Sequence, residues 1–323
     1  ATIANLTLGD TNATGFTDYH HKDALGIWAC GSGLADMGLS DGSFNREATR
    51  RLAEGFHGTE DRHLAKNAGR DHRQGWDITM DDPKDFSLVH AFGTDAQKAD
   101  YYEARQAAWR LVVSEIERLA RPKYAGHEGP VKIAMQIFEH DDSRSGDPHK
   151  HGHGFLFNVG VLPDGKTCAI DVGPIMRNKA YLGQIYQSEL ARQYAMKGRA
   201  VAFDVRESTD TRTKTRYAVA TIPGLATPEQ LAGFSERAAD IAAALDAKGA
   251  NHSVKAKNAA ALSTRDEKKL THQEMRAMWD QKAKDLGLDM ASFHAAIDAK
   301  AFAPDDKAAI LGRVFEEVTA LFD

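Results

Sequence analysis

Apolar and polar positions alternate in short runs through most of the first two thirds of this chain. The runs TLGD, WDITM, FSLVHAF, VKIAMQIFEH, HGFLFNVGVL, TCAIDVG, AVAFDV and RYAVATI, bounded by Gly, Asp and Pro, predict strands. Two segments have apolar residues at three- and four-residue spacing instead, which predicts helices over Asp95–Leu119 and Tyr181–Met196. Short turns such as Leu162-Pro163-Asp164-Gly165 favour antiparallel neighbours over crossover units. The class is therefore α+β, with a central, mainly antiparallel β-sheet flanked by helices. From residue 227 to 323 the pattern turns alanine-rich, charged and helical. A boundary near Ile222-Pro223-Gly224 divides a core of residues 1–225 from a helical region of residues 226–323.

Composition narrows the field. A chain of 323 residues can bury a sizeable core. Its two cysteines, Cys30 and Cys168, lack disulfide or metal spacing and read as free thiols of a reducing compartment. No apolar run reaches the roughly 20 residues of a membrane span, and ATIANLTLGD lacks signal-peptide features. A soluble, cytoplasmic protein is expected. The absence of G-x-x-x-x-G-K-[ST] argues against nucleotide triphosphate hydrolysis. A net charge of -5 argues against nucleic acid, yet Arg177–Arg216 carries nine basic residues against four acidic ones. That stretch could line a strand-binding groove or be a solvated face.

The segment from His140 through Ser143, Arg144, Asp147 and Pro148 to His149-Lys150-His151-Gly152-His153 holds the richest chemistry. Alternation along a strand puts His151 and His153 on one face, about 7 Å apart. If the run ending at His140 pairs with them through the turn at Gly146–Pro148, a three-histidine metal site results, with positions open for substrate. His149 shares their parity and is a rival ligand.

These residues resemble a known family. His140, Asp141, Ser143, Arg144, Asp147, Pro148, His151, His153 and Asn158 match the motif of the MobF conjugative relaxases (TraI/TrwC type), members of the HUH endonuclease class. Lys150 and Gly152 replace the usual leucine and threonine. A second block, Gly75-Trp76-Asp77-Ile78-Thr79 with Pro83-Lys84 and Ser87, also matches, although Asp81, Asp82 and Asp85 add acid. Glycines 31, 33, 38 and 42 after Trp28, and the later Tyr181-Leu-Gly183 and Gly233-Phe-Ser235, extend the likeness over most of the chain.

The resemblance implies site-specific nicking and rejoining of one DNA strand at a plasmid origin of transfer, through a 5′-phosphotyrosine. It implies an HUH palm with the helical C-terminal region as a lid, where Lys255, Lys257, Lys268 and Lys269 face the strand. Tyr19 becomes the nucleophile, with Phe16 standing where a second tyrosine could be. Asp77 supports a metal histidine or the tyrosine, and His140, His151 and His153 bind the metal. Arg144, Lys84 and Arg177 contact DNA. The implied cofactor is a divalent ion, Mg2+ or Mn2+ in function, with Zn2+ or Ni2+ as alternatives. Implied partners are single-stranded origin-of-transfer DNA, relaxosome accessory proteins and a type IV secretion coupling protein. The expected setting is the bacterial cytoplasm, with transfer into a recipient cell alongside the DNA. Family relaxases continue into a helicase, whereas this chain stops at Asp323. A rolling-circle replication initiator, a water-using metal phosphoesterase and a non-cutting single-stranded DNA-binding module remain open alternatives.

Overall fold

The computed structural model describes residues 5–7, 24, 26–69, 73–124, 129–143, 145–207, 216–236, 243, 245 and 271–299. Phe16, Tyr19, Arg144 and the lysines at 255, 257, 268 and 269 lie outside them.

Strands β1 (Asn5–Thr7), β2 (Gly26–Cys30) and β3 (Gly75–Asp81) join β5 (Met135–Asp142) and β6 (Pro148–Phe157) in a five-stranded sheet of order β1-β3-β6-β5-β2. All its pairs are antiparallel. The short β4 (Arg121–Pro122), β7 (Gly160–Val161), β8 (Thr167–Cys168) and β9 (Ile170–Asp171) form two small ribbons. A third ribbon pairs β10 (Ala202–Glu207) with β11 (Arg216–Thr221). The helices are α1 (Arg46–Ala53), α2 (Lys84–Phe92), α3 (Asp95–Leu119), α4 (Gly173–Arg177), α5 (Lys179–Met196), α6 (Pro228–Gly233), α7 (His272–Asp285) and α8 (Met290–Asp298).

Strand alternation gives the sheet two unlike faces. Trp28, Cys30, Trp76, Ile78, Met80, Met135, Ile137 and Leu156 point toward α3 and α5 and form the main core with Ala108, Trp109, Val112 and Tyr186. Gly152 and Gly154 make this contact possible. A Cβ at Gly152 would lie 2.8 Å from Trp109 Cζ2, and one at Gly154 2.7 Å from Met135 Cε. The indole therefore lies directly on β6, in space that a threonine at 152 would need. On the opposite face Phe138, Phe155 and Phe157 pack with Leu34, Met37, Leu52 and Leu64. The histidines continue that same face toward the β5–β6 turn.

Helix α3 begins where its sequence says. Thr94 accepts from the Gln97 backbone N–H while the Gln97 side chain accepts from the Thr94 N–H, a reciprocal cap. FSLVHAF corrects the expectation: it is helix α2, not a strand. Phe86, Ser87, Leu88, Val89, His90 and Ala91 are all buried, so no polar stripe reveals the helical period. From beyond the expected boundary near residue 225, Phe234, Ala283, Leu288, Phe293 and Ile297 join the main cluster. Among the described residues no helix is long and apolar enough to cross a membrane, and both cysteines are free thiols.

Candidate functional site

The β5–β6 hairpin assembles the site from sequence upward. His140 pairs with His151, and His153 sits opposite Phe138 on one side and Thr79 on the other. A bulge between His140 and Asp142 ends the regular ladder before the turn. The ring centroids of His140, His151 and His153 stand 5.2, 5.3 and 5.3 Å apart. His140 is buried, at 5% exposure, and the other two are half-buried.

Each tautomer bears on whether an ion fits. His153 Nδ1–H donates to Asp77 Oδ2 at 2.8 Å, with Thr79 Oγ1 3.2 Å from the same nitrogen. His151 Nδ1–H donates to the His149 carbonyl at 2.9 Å. Both rings thus leave Nε2 with a lone pair, the form a metal needs. Burial, then the neighbouring imidazoles, hold His151 well below the ordinary histidine pKa, which favours its neutral form. Among the described residues, no group of three or more His, Cys, Asp or Glu side chains stands closed to ion-holding distance as placed. The triangle is nevertheless the right size. An ion bonded to an imidazole nitrogen at about 2.1 Å lies roughly 3.3 Å from the ring centre, slightly beyond the triangle's circumradius of about 3 Å.

His149, the rival ligand, stacks on His151 with centroids 5.0 Å apart and turns Nε2 toward Asp81 Oδ1 at 3.3 Å. Its side chain is 31% exposed, against 18% for that of His153.

Behind the histidines, on the helix face, lies a buried ionic network that the sequence reading missed. Lys150 Nζ donates to Asp141 Oδ1 at 2.7 Å and lies 3.5 Å from Glu139 Oε2, so its ammonium bridges the residues on either side of His140. Arg105 pairs with Glu139, and its Nε donates to Asp82 Oδ2 at 2.8 Å. Asp82 also accepts from Tyr101 and, at 2.5 Å, from Tyr186. His90 Nε2 lies 2.9 Å from Asp141 Oδ2, and its Nδ1 is hydrogen-bonded to the Tyr102 hydroxyl at 2.7 Å. Burial pushes the Asp141 carboxyl up, but the His90 bond and the Lys150 ammonium outweigh it and hold the group well down. Glu139 is likewise lowered against burial by Arg105 and Lys150. The signal was present in the sequence: Asp82 and Lys150 are both departures from the family motif, of opposite charge.

The remaining candidates lie elsewhere. Lys84, expected on phosphates, is instead committed to the fold: its ammonium donates to the carbonyls of Pro148 and Phe234, each at 2.7 Å. Burial depresses its pKa to about 8, against the opposing pull of Asp147. NMR of 15N-lysine-labelled protein should find its Nζ titrating near pH 8, and a midpoint above pH 10 would contradict this burial. The unfolded chain binds more protons in that window, so this group's contribution to stability rises with pH from about 8 to about 10.5. Arg177 is exposed in the last turn of α4. That helix follows the β4–β9 ribbon at the C-terminal end of α3, whereas Arg105, near the middle of α3, backs the histidines. Arg177 and the triad are not brought together.

Comparison with known proteins places this arrangement in context. A family model described as TrwC relaxase matches residues 6–286. The multifunctional conjugation protein TraI of Escherichia coli is 29% identical over 300 residues, covering 88% of this chain and 16% of TraI. TraI of Escherichia coli strain K12 is 27% identical over 319 residues, covering 93% of this chain and 17% of that protein. The chain thus spans about a sixth of these relatives' length. Among solved structures, the conjugative relaxase TrwC in complex with oriT DNA, copper-bound, superposes with a TM-score of 0.73 at 26% identity, covering 89% of this chain and 99% of that one. TrwC complexed with a 27-mer DNA comprising the recognition hairpin and the cleavage site gives 0.71 at 25% identity, with the same coverage.

Proposed function

The chain belongs to the TrwC relaxase family, and from that premise we propose that it nicks and rejoins one DNA strand at an origin of transfer, by tyrosine transesterification. The observation that carries this reading is the triangle of His140, His151 and His153 with Asp77 bonded to His153. Relatives solved on oriT DNA and in metal-bound form support it.

His140, His151 and His153 would hold a divalent cation, Mg2+ or Mn2+ in function with Zn2+ or Ni2+ also suited to imidazole nitrogen, which supplies Lewis-acid polarisation of the scissile phosphate. Three neutral ligands leave the ion's double charge undiminished for that anion. Asp77 fixes the ring of His153, and the His149 carbonyl fixes that of His151. Asp77→Asn should accordingly raise the Kd for Mn2+ by about tenfold in titration calorimetry, because the ring loses its charged anchor. An unchanged Kd would remove Asp77 from the site.

Tyr19 is the proposed nucleophile. Its phenolic oxygen bonds to phosphorus as the P–O3′ bond breaks, the phenolic proton leaves to solvent or a base, and the 3′ oxygen departs as a hydroxyl. The product keeps the DNA 5′ phosphate as a tyrosine ester, and reversal rejoins the strand. Arg144 and Arg177 are proposed to contact the DNA backbone. Relaxosome accessory proteins and a secretion coupling protein are proposed partners, and the bacterial cytoplasm the proposed setting, with passage to the recipient.

Incubating the full chain with Mn2+ and a single-stranded origin oligonucleotide tests the proposal. A denaturation-resistant protein–DNA adduct mapping to the Tyr19 peptide, and absent in Tyr19→Phe, is expected. Cleavage that leaves a free 5′ phosphate and no adduct would identify a water-using phosphoesterase instead.

A further inference from the structure

The hairpin that carries all three histidines is held at its turn by residues from distant parts of the chain. Three successive turn residues are gripped. Trp279 Nε1–H donates to the Gly146 carbonyl at 2.5 Å, across 133 positions of sequence. Lys282 Nζ donates to Asp147 Oδ1 at 2.8 Å, and Lys84 Nζ to the Pro148 carbonyl at 2.7 Å. The two cations also bond a second segment, Lys282 to Glu236 at 2.7 Å and Lys84 to the Phe234 carbonyl. These grips lie mostly out of solvent: Trp279 and Asp147 are each 1% exposed.

A second route runs from the same helix to the same hairpin. The Trp279 ring meets His90 edge-on at 6.4 Å, and His90 holds Asp141, the residue after His140. Arg276 stacks over Trp279 at 5.3 Å and donates to the Ala91 carbonyl at 2.8 Å, seating α7 on α2. Helix α7 therefore touches the hairpin at its turn directly and at β5 through His90.

A bulged, two-stranded end is the part of a sheet whose strand spacing is least determined by its own ladder. The His140–His151 pair stands directly inside the bulge, and His153 two pairs further in. A cover that opens for DNA would rest on contacts that release, whereas these are buried, directional and made to backbone carbonyls and a carboxylate. We infer that α7 is a brace for the histidine hairpin, with Trp279 and Lys282 as positioning residues that set the separation of His140 and His151. As a statement about catalysis, this rests on the reading that those histidines hold the ion.

The test uses the full chain carrying Trp279→Phe, Lys282→Met, their combination, and Lys282→Arg as the conservative control. Mn2+ affinity is measured by calorimetry, and histidine ring signals by long-range 1H–15N NMR without metal. The double variant should bind Mn2+ about tenfold more weakly and shift the His140 and His151 ring signals, with Lys282→Arg near wild type. Should the double variant fail to fold, Trp279→Phe, which keeps most of the aromatic bulk but lacks the indole N–H, should still weaken binding about threefold. Unchanged affinity and unmoved ring signals in a folded variant would overturn the brace. A wild-type protein that binds no Mn2+ would instead sink the metal reading, and the metal-free ring signals would then decide the brace alone.

Discussion

Alanine at His151 is expected to slow formation of the protein–DNA adduct by about three orders of magnitude at saturating DNA, while alanine at His149 costs less than about tenfold. The first figure corresponds to about 4 kcal/mol of lost charge stabilisation at the phosphate, the scale of removing an electrostatic contact made in the transition state. His151 touches both other members of the set: its ring stacks with His140 at 5.2 Å and 21°, and it stands 5.3 Å from His153. Its Nδ1–H is already given to a backbone carbonyl, so Nε2 is the atom left to ligate. His149 stacks on that ring but turns toward Asp81 and solvent. Single-turnover adduct assays with both variants separate the two roles, and a larger loss in His149→Ala would exchange them.

Leucine at position 150 should be the more damaging change to the fold, even though the family motif has leucine there. Lys150 is buried between Asp141 and Glu139. Replacing it leaves two buried carboxylates short of a cation, and removing one partner of such a pair costs about 3–5 kcal/mol. For a chain of this size that lowers Tm by about 4–7 °C. Glu139 keeps Arg105, so most of the loss falls on Asp141, which among the described residues retains His90. Combining Lys150→Leu with Asp141→Asn should therefore recover part of the stability. Calorimetric melting of the three proteins checks this, and a Lys150→Leu variant as stable as wild type would show that the network contributes nothing net.

How much of this was legible in sequence depends on the range over which each feature is determined. Helix α3 was readable from its apolar spacing, and the cap that starts it, Thr94 with Gln97, is local. The parity of His151 and His153 needed only strand alternation, and the pairing of His140 with His151 followed from one short turn. FSLVHAF misled because a helix buried on nearly all sides shows no period. Lys84 misled for a different reason. A motif lysine says that an ammonium is wanted, but its partners, the carbonyls of Pro148 and Phe234, are set by elements 64 and 150 positions away. The ionic network and the α7 brace depend on similarly remote pairs, such as Trp279 with Gly146. Their sequence trace was limited to residues out of place in the motif, Asp82 and Lys150.

Anomalous diffraction from crystals soaked in Mn2+ tests the central claim most directly. The account predicts one strong peak about 2.0–2.3 Å from a ring nitrogen of each of His140, His151 and His153, with Asp77 still bonded to the far side of His153. A peak bound by His149 and Asp81 in place of that triad, or no ordered ion on the hairpin at all, would contradict it.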